Sequence, residues 1–89
     1  MIRKFLDIST GHLTVHTREM IDAGKYDDTL SYTPWHDYGW FVWVPTDQFT
    51  YAGCSTDLRN CFDRAKALGC DYILFDRDAQ RDEELHYYD

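Results

Sequence analysis

A chain of 89 residues, 44% of them apolar and carrying a net charge of −7, allows one folded domain and excludes a disordered chain. A domain this short buries only about 60–65% of its unfolded surface. The 17% aromatic content offsets that, because each large ring buries about 150–250 Å².

In chain order, RKFLDIS at residues 3–9 reads as a short strand. STGH reads as a turn in which Gly11 is free to take a positive φ. LTVHTREMIDAGK suits a helix capped by Thr14 and ended by Gly24. KYDDTLSYTPWHDYG is irregular, with a short strand near residues 30–33. Pro34 would interrupt a hydrogen-bond ladder there and suits an edge. WFVWVP is the strongest strand, with Trp40, Val42 and Val44 facing one way and Phe41 and Trp43 the other. Both faces are apolar, so a central or doubly covered place is expected. STDLRNCFDRAKALGC is the clearest helix. Leu58, Cys61, Phe62, Ala65 and Leu68 share one face, Ser55 or Thr56 caps it, and Gly69 fits its end. CDYILF is the last strand. If it lies parallel to WFVWV, the two strands and the helix between them form a right-handed crossover unit.

The order β-α-(β)-β-α-β predicts an α/β or α+β fold. It would be a small two-layer sandwich with a three- to four-stranded sheet and two helices on one face. Residues 1–89 form one domain, with an acidic C-terminal segment at 76–89. The uncovered sheet face would be partly open, with Trp35, Trp40 or Trp43 exposed as a contact patch. No apolar run approaches the ~20 residues of a membrane span. MIRKFLDIST lacks the apolar core of a secretory leader. A cytoplasmic location without membrane contact is therefore expected. Cys54, Cys61 and Cys70 have no short paired spacing, which reads as reduced core cysteines and not as a zinc site.

Charge is unevenly spread. Residues 1–70 hold nine acids and seven bases, or −2; residues 71–89 hold seven acids and two bases, or −5. Such a surface repels nucleic acid and attracts basic protein grooves. Asp76, Asp78, Asp82, Glu83 and Glu84 are the candidate charges, with Tyr87, Tyr88 and Trp35 as anchors. Acids two apart on an extended chain are separated by about 6.6 Å. That is close to two ~3.4 Å steps along a DNA strand, so partial nucleic-acid mimicry is one form the contact would take.

Three other patterns carry chemistry. Asp7 and Asp76, at the ends of the first and last strands, would meet at one sheet edge if those strands are parallel neighbours, with Asp78 beside them. Carboxylates there would hold Mg²⁺ for phosphoryl transfer or hydrolysis. No Gly-rich phosphate loop accompanies them, and a solvated strand end is the plainer reading. Ser9, Thr10 and His12 near Asp7 contain the parts of a nucleophilic set, but serve equally as turn and cap residues. The aromatic run PWHDYGWFVW lacks the bases of a nucleic-acid platform, with no Lys or Arg between Lys25 and Arg59.

FLDISTGHLT, YGWFVWVP and GCDYILFDRDA together resemble an uncharacterised family of small proteins from phages and mobile elements. The resemblance implies origin more than activity, and no motif with a known role is carried over. Small acidic proteins of such elements often inhibit host defence, anti-CRISPR proteins among them. The expected function is a non-enzymatic inhibitor without cofactor or metal, binding the basic surface of a host protein as a monomer or homodimer. The alternative is a metal-dependent enzyme using Asp7, Asp76 and Asp78. A homodimer through the WFVWV strand face is a third possibility.

Overall fold

The computed structural model describes residues 1–88; Asp89 of the acidic segment lies outside the described residues. Strand β1 (Phe5–Ile8) leads through a 3₁₀ turn (Thr10–His12) into helix α1 (Val15–Asp22). Strands β2 (Tyr32–Trp35) and β3 (Gly39–Trp43) form a hairpin. Helices α2 (Gln48–Ala52) and α3 (Thr56–Ala67) follow, and strand β4 (Tyr72–Asp76) enters last. The sheet order is β1-β4-β3-β2. β1 and β4 are parallel, with Phe5 opposite Tyr72 and Ile8 opposite Phe75. The β3–β4 and β2–β3 pairs are antiparallel. This is the predicted α+β domain, with four strands.

Local chemistry explains the element ends. The Thr14 hydroxyl accepts from the Thr17 amide and opens α1. Gly24 and Gly69 take positive φ just after α1 and α3, where a left-handed residue closes a helix. Pro34 sits in β2, an edge strand, as expected. β3 is central, between β4 and β2.

Three expectations need correcting. β3 and β4 are antiparallel, so they and α3 make no right-handed crossover unit. The chain leaves β3 through the unpredicted α2, and α3 carries it back to the end where β3 stopped. There the Val44 amide bonds the Asp71 carbonyl at 2.9 Å. Leu68 is 40% exposed and contributes nothing to the core, because α3 ends one residue earlier. Gly11 has no positive φ; its value lies in the space beside it, described below.

One core fills the helix side of the sheet. Ile8, Trp40, Val42, Ile73 and Phe75 meet Leu13, Ile21, Leu58, Cys61, Phe62 and Ala65 from the turn and the two helices. The cysteines are free, as expected. Cys54 and Cys61 are buried and Cys70 is half-buried. Burial pushes the Cys61 thiol up to about 12, and the nearby Asp57 and Asp82 carboxylates add to the shift.

Asp57 ties α3 to the start of α1. Its carboxylate accepts from the Thr14 amide at 2.9 Å and the Thr17 hydroxyl at 3.0 Å. Burial opposes its charge, but hydrogen bonds involving Ser55, Thr14 and Thr17 outweigh burial and hold the carboxyl below the ordinary range. A folded pKa below the unfolded one contributes stability above the unfolded value, about 3.9 for Asp. That contribution is lost as pH falls through the folded value. Denaturant midpoints measured on the acid side should therefore fall with pH. Asp57→Asn should lower the neutral-pH midpoint and flatten that fall; an unchanged slope would deny the assignment.

Candidate protein-contact surface

Where β4 ends, the Asp76 carboxylate accepts from the Asp78 amide at 2.9 Å, and the Asp76 carbonyl accepts from the Ala79 amide. This Asx turn sends the chain back across the 3₁₀ turn and α3. The segment does not trail into solvent. His12, only 1% exposed, takes hold of it at two points. The Asp82 amide donates to His12 Nε2 at 2.8 Å, so Nε2 carries no proton. Nδ1 therefore bears the hydrogen and donates to the His86 carbonyl at 2.9 Å. The Tyr88 amide closes a third bond, to the Gly11 carbonyl at 2.7 Å. Leu85 packs against the core.

Side chains reinforce the strap. Arg64 of α3 pairs with Asp82 at 2.8 Å. Burial works against the charged Asp82, but the hydrogen bonds from Arg64 and the Glu84 amide hold its carboxyl below the usual range. The Tyr87 ring meets His12 edge-on, with centroids 5.6 Å apart, and Arg81 stacks on it at 4.5 Å. A Cβ on Gly11 would sit 2.2 Å from that ring, so only glycine leaves Tyr87 its place.

The predicted contact residues thus divide. Asp82, Tyr87 and Tyr88 take part in docking the segment. Asp78, Glu83 and Glu84 are exposed and Asp76 is half-buried. Apart from a 4.0 Å approach of Arg77 to Asp78, none of these four is ion-paired among the described residues. Register brings Trp35, Gly39 and Asp76 into one row across β2, β3 and β4. Trp35, 40% exposed, therefore shares a sheet end with Asp76.

That row borders the sheet face without helices. Phe5, Phe41, Tyr72 and Trp43 form a chain of ring contacts there, with centroids 5.6, 5.0 and 4.5 Å apart. Arg3 lies 5.0 Å over the Trp43 ring, and Phe5 is 51% exposed. Trp40, one of the three tryptophans expected on an open face, points into the core instead.

Asp7 and Asp76 also meet as the parallel β1–β4 pair requires: Asp7 stands opposite Leu74, two residues before Asp76 on the same face. Burial, then the Asp76 charge, pushes the Asp7 carboxyl above its ordinary range. Asp78 does not join them. Among the described residues no three His, Cys, Asp or Glu side chains converge as metal ligands. Ser9, Thr10 and His12 form no catalytic chain either. The Ser9 hydroxyl accepts from the Gly11 amide, and both His12 nitrogens are taken by the strap. Sequence reasoning weighed His12 as a nucleophile's base and missed this use, since its partners lie 70 and 74 residues away.

No helix among the described residues is long and apolar enough to cross a membrane. Neither a curated protein nor a solved structure matches the chain. The C-terminal domain of DUF5983, a family of unknown function, matches residues 5–89, and the chain belongs to that family.

Proposed function

We propose that the domain is a non-enzymatic binding protein whose acidic surface seats on a basic surface of a partner protein. The observation that supports this most is the docking of the C-terminal segment. The stretch from 71 to 89 carries −5 of the net −7. Asp78, Glu83 and Glu84, with Asp76 at the strand end, stand on backbone tied down through His12 and Gly11. Fixed charges cost less to order on binding than charges on a free tail. Trp35, on the same row of the sheet as Asp76 with Gly39 between them, supplies an aromatic anchor of the kind that dominates contact energy.

The narrower reading is an inhibitor of host defence, of the anti-CRISPR kind, encoded by a phage or mobile element and acting in the cytoplasm. It rests on the resemblance and on the localised charge. A partner that normally holds nucleic acid offers the basic groove this surface complements, and the carboxylates would stand in for phosphates. The test is capture from a bacterial lysate by the native protein and by a variant with Asp78, Glu83 and Glu84 all changed to lysine. Asp76 and Asp82 are left intact because they hold the turn and Arg64. The captured partner should be basic, its association should slow with salt, and the variant should lose at least about tenfold in affinity. Equal capture by the variant would overturn the proposal.

A second reading is a metal-dependent phosphoryl-transfer or hydrolase site, favoured by the closeness of Asp7 and Asp76 and the raised Asp7 carboxyl. Calorimetry with Mg²⁺ or Mn²⁺ separates the two readings. Heat of binding that disappears in Asp7→Asn would favour the enzyme, and no heat at millimolar metal would remove it.

A further inference from the structure

A cleft of about 600 Å³ opens between α1 and the β2–β3 hairpin, within the range of about 300–1,000 Å³ usual for small-ligand pockets. Thr10, just past the end of β1, and Arg77, just past the end of β4, both line it. The cleft therefore lies at the carboxyl ends of the parallel pair, where open α/β sheets hold their ligands. It adjoins the acidic surface at Arg77, between Asp76 and Asp78, but does not depend on that surface's role.

Its charge is arranged unusually. Arg18, on the α1 wall, has a buried Nε with no hydrogen-bond acceptor and no ion pair among the described residues. Half-buried Arg18 therefore lacks a counter-charge, which an anion in the cleft would supply. Arg77 lies over the Tyr38 ring at 4.7 Å, at the same opening, with only the exposed Asp78, among the described residues, approaching its Nε, at 4.0 Å. Pro34 and Tyr38 give the hairpin wall an apolar surface, and Trp40 lines the cleft from the core side. Glu19, Asp22 and Asp37 also line it. Their charge repels a polyanionic strand and limits the occupant to a small molecule with a single anionic head.

We propose that this cleft binds a small organic anion, its carboxylate or phosphate held by Arg18 and Arg77 and its flat apolar body resting on Tyr38 and Pro34. Guanidinium forks recognise both head groups in the same way. Two probes separate the sources: indole-3-acetate carries a carboxylate on a ring, and AMP carries a phosphate on a base. Acetate and inorganic phosphate serve as the heads alone.

Titrations followed through backbone and Arg Nε–H resonances should show at least one ringed probe binding at sub-millimolar concentration. Shifts should concentrate at Thr10, Arg18, Gly39 and Arg77, and the bare heads should bind more weakly. Arg18→Gln and Arg77→Gln should each weaken binding about tenfold or more. Arg59→Gln should leave binding intact, since that Nε is also unpaired but lies outside the cleft. Binding by AMP alone assigns a phosphate ligand, and binding by indole-3-acetate alone a carboxylate. No binding by either ringed probe at millimolar concentration, shifts centred elsewhere, or full affinity in both arginine variants would overturn the proposal.

Discussion

Gly39→Ala should cost the domain more than about 4 kcal/mol, close to the whole stability of the least stable domains of this size. Gly39 opens β3 between Trp35 and Asp76. A Cβ built there would lie 1.7 Å from the carbonyl oxygen of Phe75. That oxygen belongs to the backbone of β4, so it has no rotamer to escape into. Either β3 separates from β4, which opens the centre of the sheet, or the hairpin shifts and drags Trp40 out of the core. Urea unfolding of the variant should show a midpoint far below the native one. A native-like midpoint would mean that the two strands do not approach as closely as described.

His12→Ala should be the next most damaging change, at about 2–5 kcal/mol. It empties a buried site and leaves the Asp82 amide and the His86 carbonyl without partners. For a domain of this length each kcal/mol lowers the unfolding temperature by about 4–8 °C. The expected drop is therefore tens of degrees at the upper end, followed by circular dichroism. The loss should also be ordered in space. Residues 77–88 should become sensitive to protease at temperatures where the sheet remains folded. Simultaneous loss of sheet and segment would show that the strap is no separate unit.

Much of the fold was legible because its elements announce themselves locally. Thr14, Gly24 and Gly69 mark helix ends, and the spacing of Leu58, Cys61, Phe62 and Ala65 marks the buried face of α3. Strand pairing was less legible. Whether β4 runs with or against β3 depends on α2, whose five residues bury nothing fully and leave no periodic trace beyond the capping Asp47. The parallel meeting of β1 and β4 was foreseen only as a condition on Asp7 and Asp76.

The site was legible as a charge imbalance and not as a geometry. Composition shows that the last residues are acidic. It does not show that a histidine near the start of the chain holds them down, nor that Asp82 is spent on Arg64 while Glu83 and Glu84 face outward. The cleft had no signal at all, because Arg18 and Arg77 are 59 positions apart and neither sits in a motif.

The proposed contact surface depends on residues 77–88 being held against the body of the domain, and amide hydrogen exchange measures this directly. The Asp82, Glu84 and Tyr88 amides each donate to a defined acceptor: His12 Nε2, the Asp82 carboxylate and the Gly11 carbonyl. The Asp82 and Tyr88 amides, bonded to the body, should be protected well above unfolded-chain rates in the native protein. In His12→Ala that protection should be lost while β3 and β4 keep theirs. Exchange of both amides at unfolded-chain rates in the native protein would contradict the docked segment and return its acids to a solvated tail.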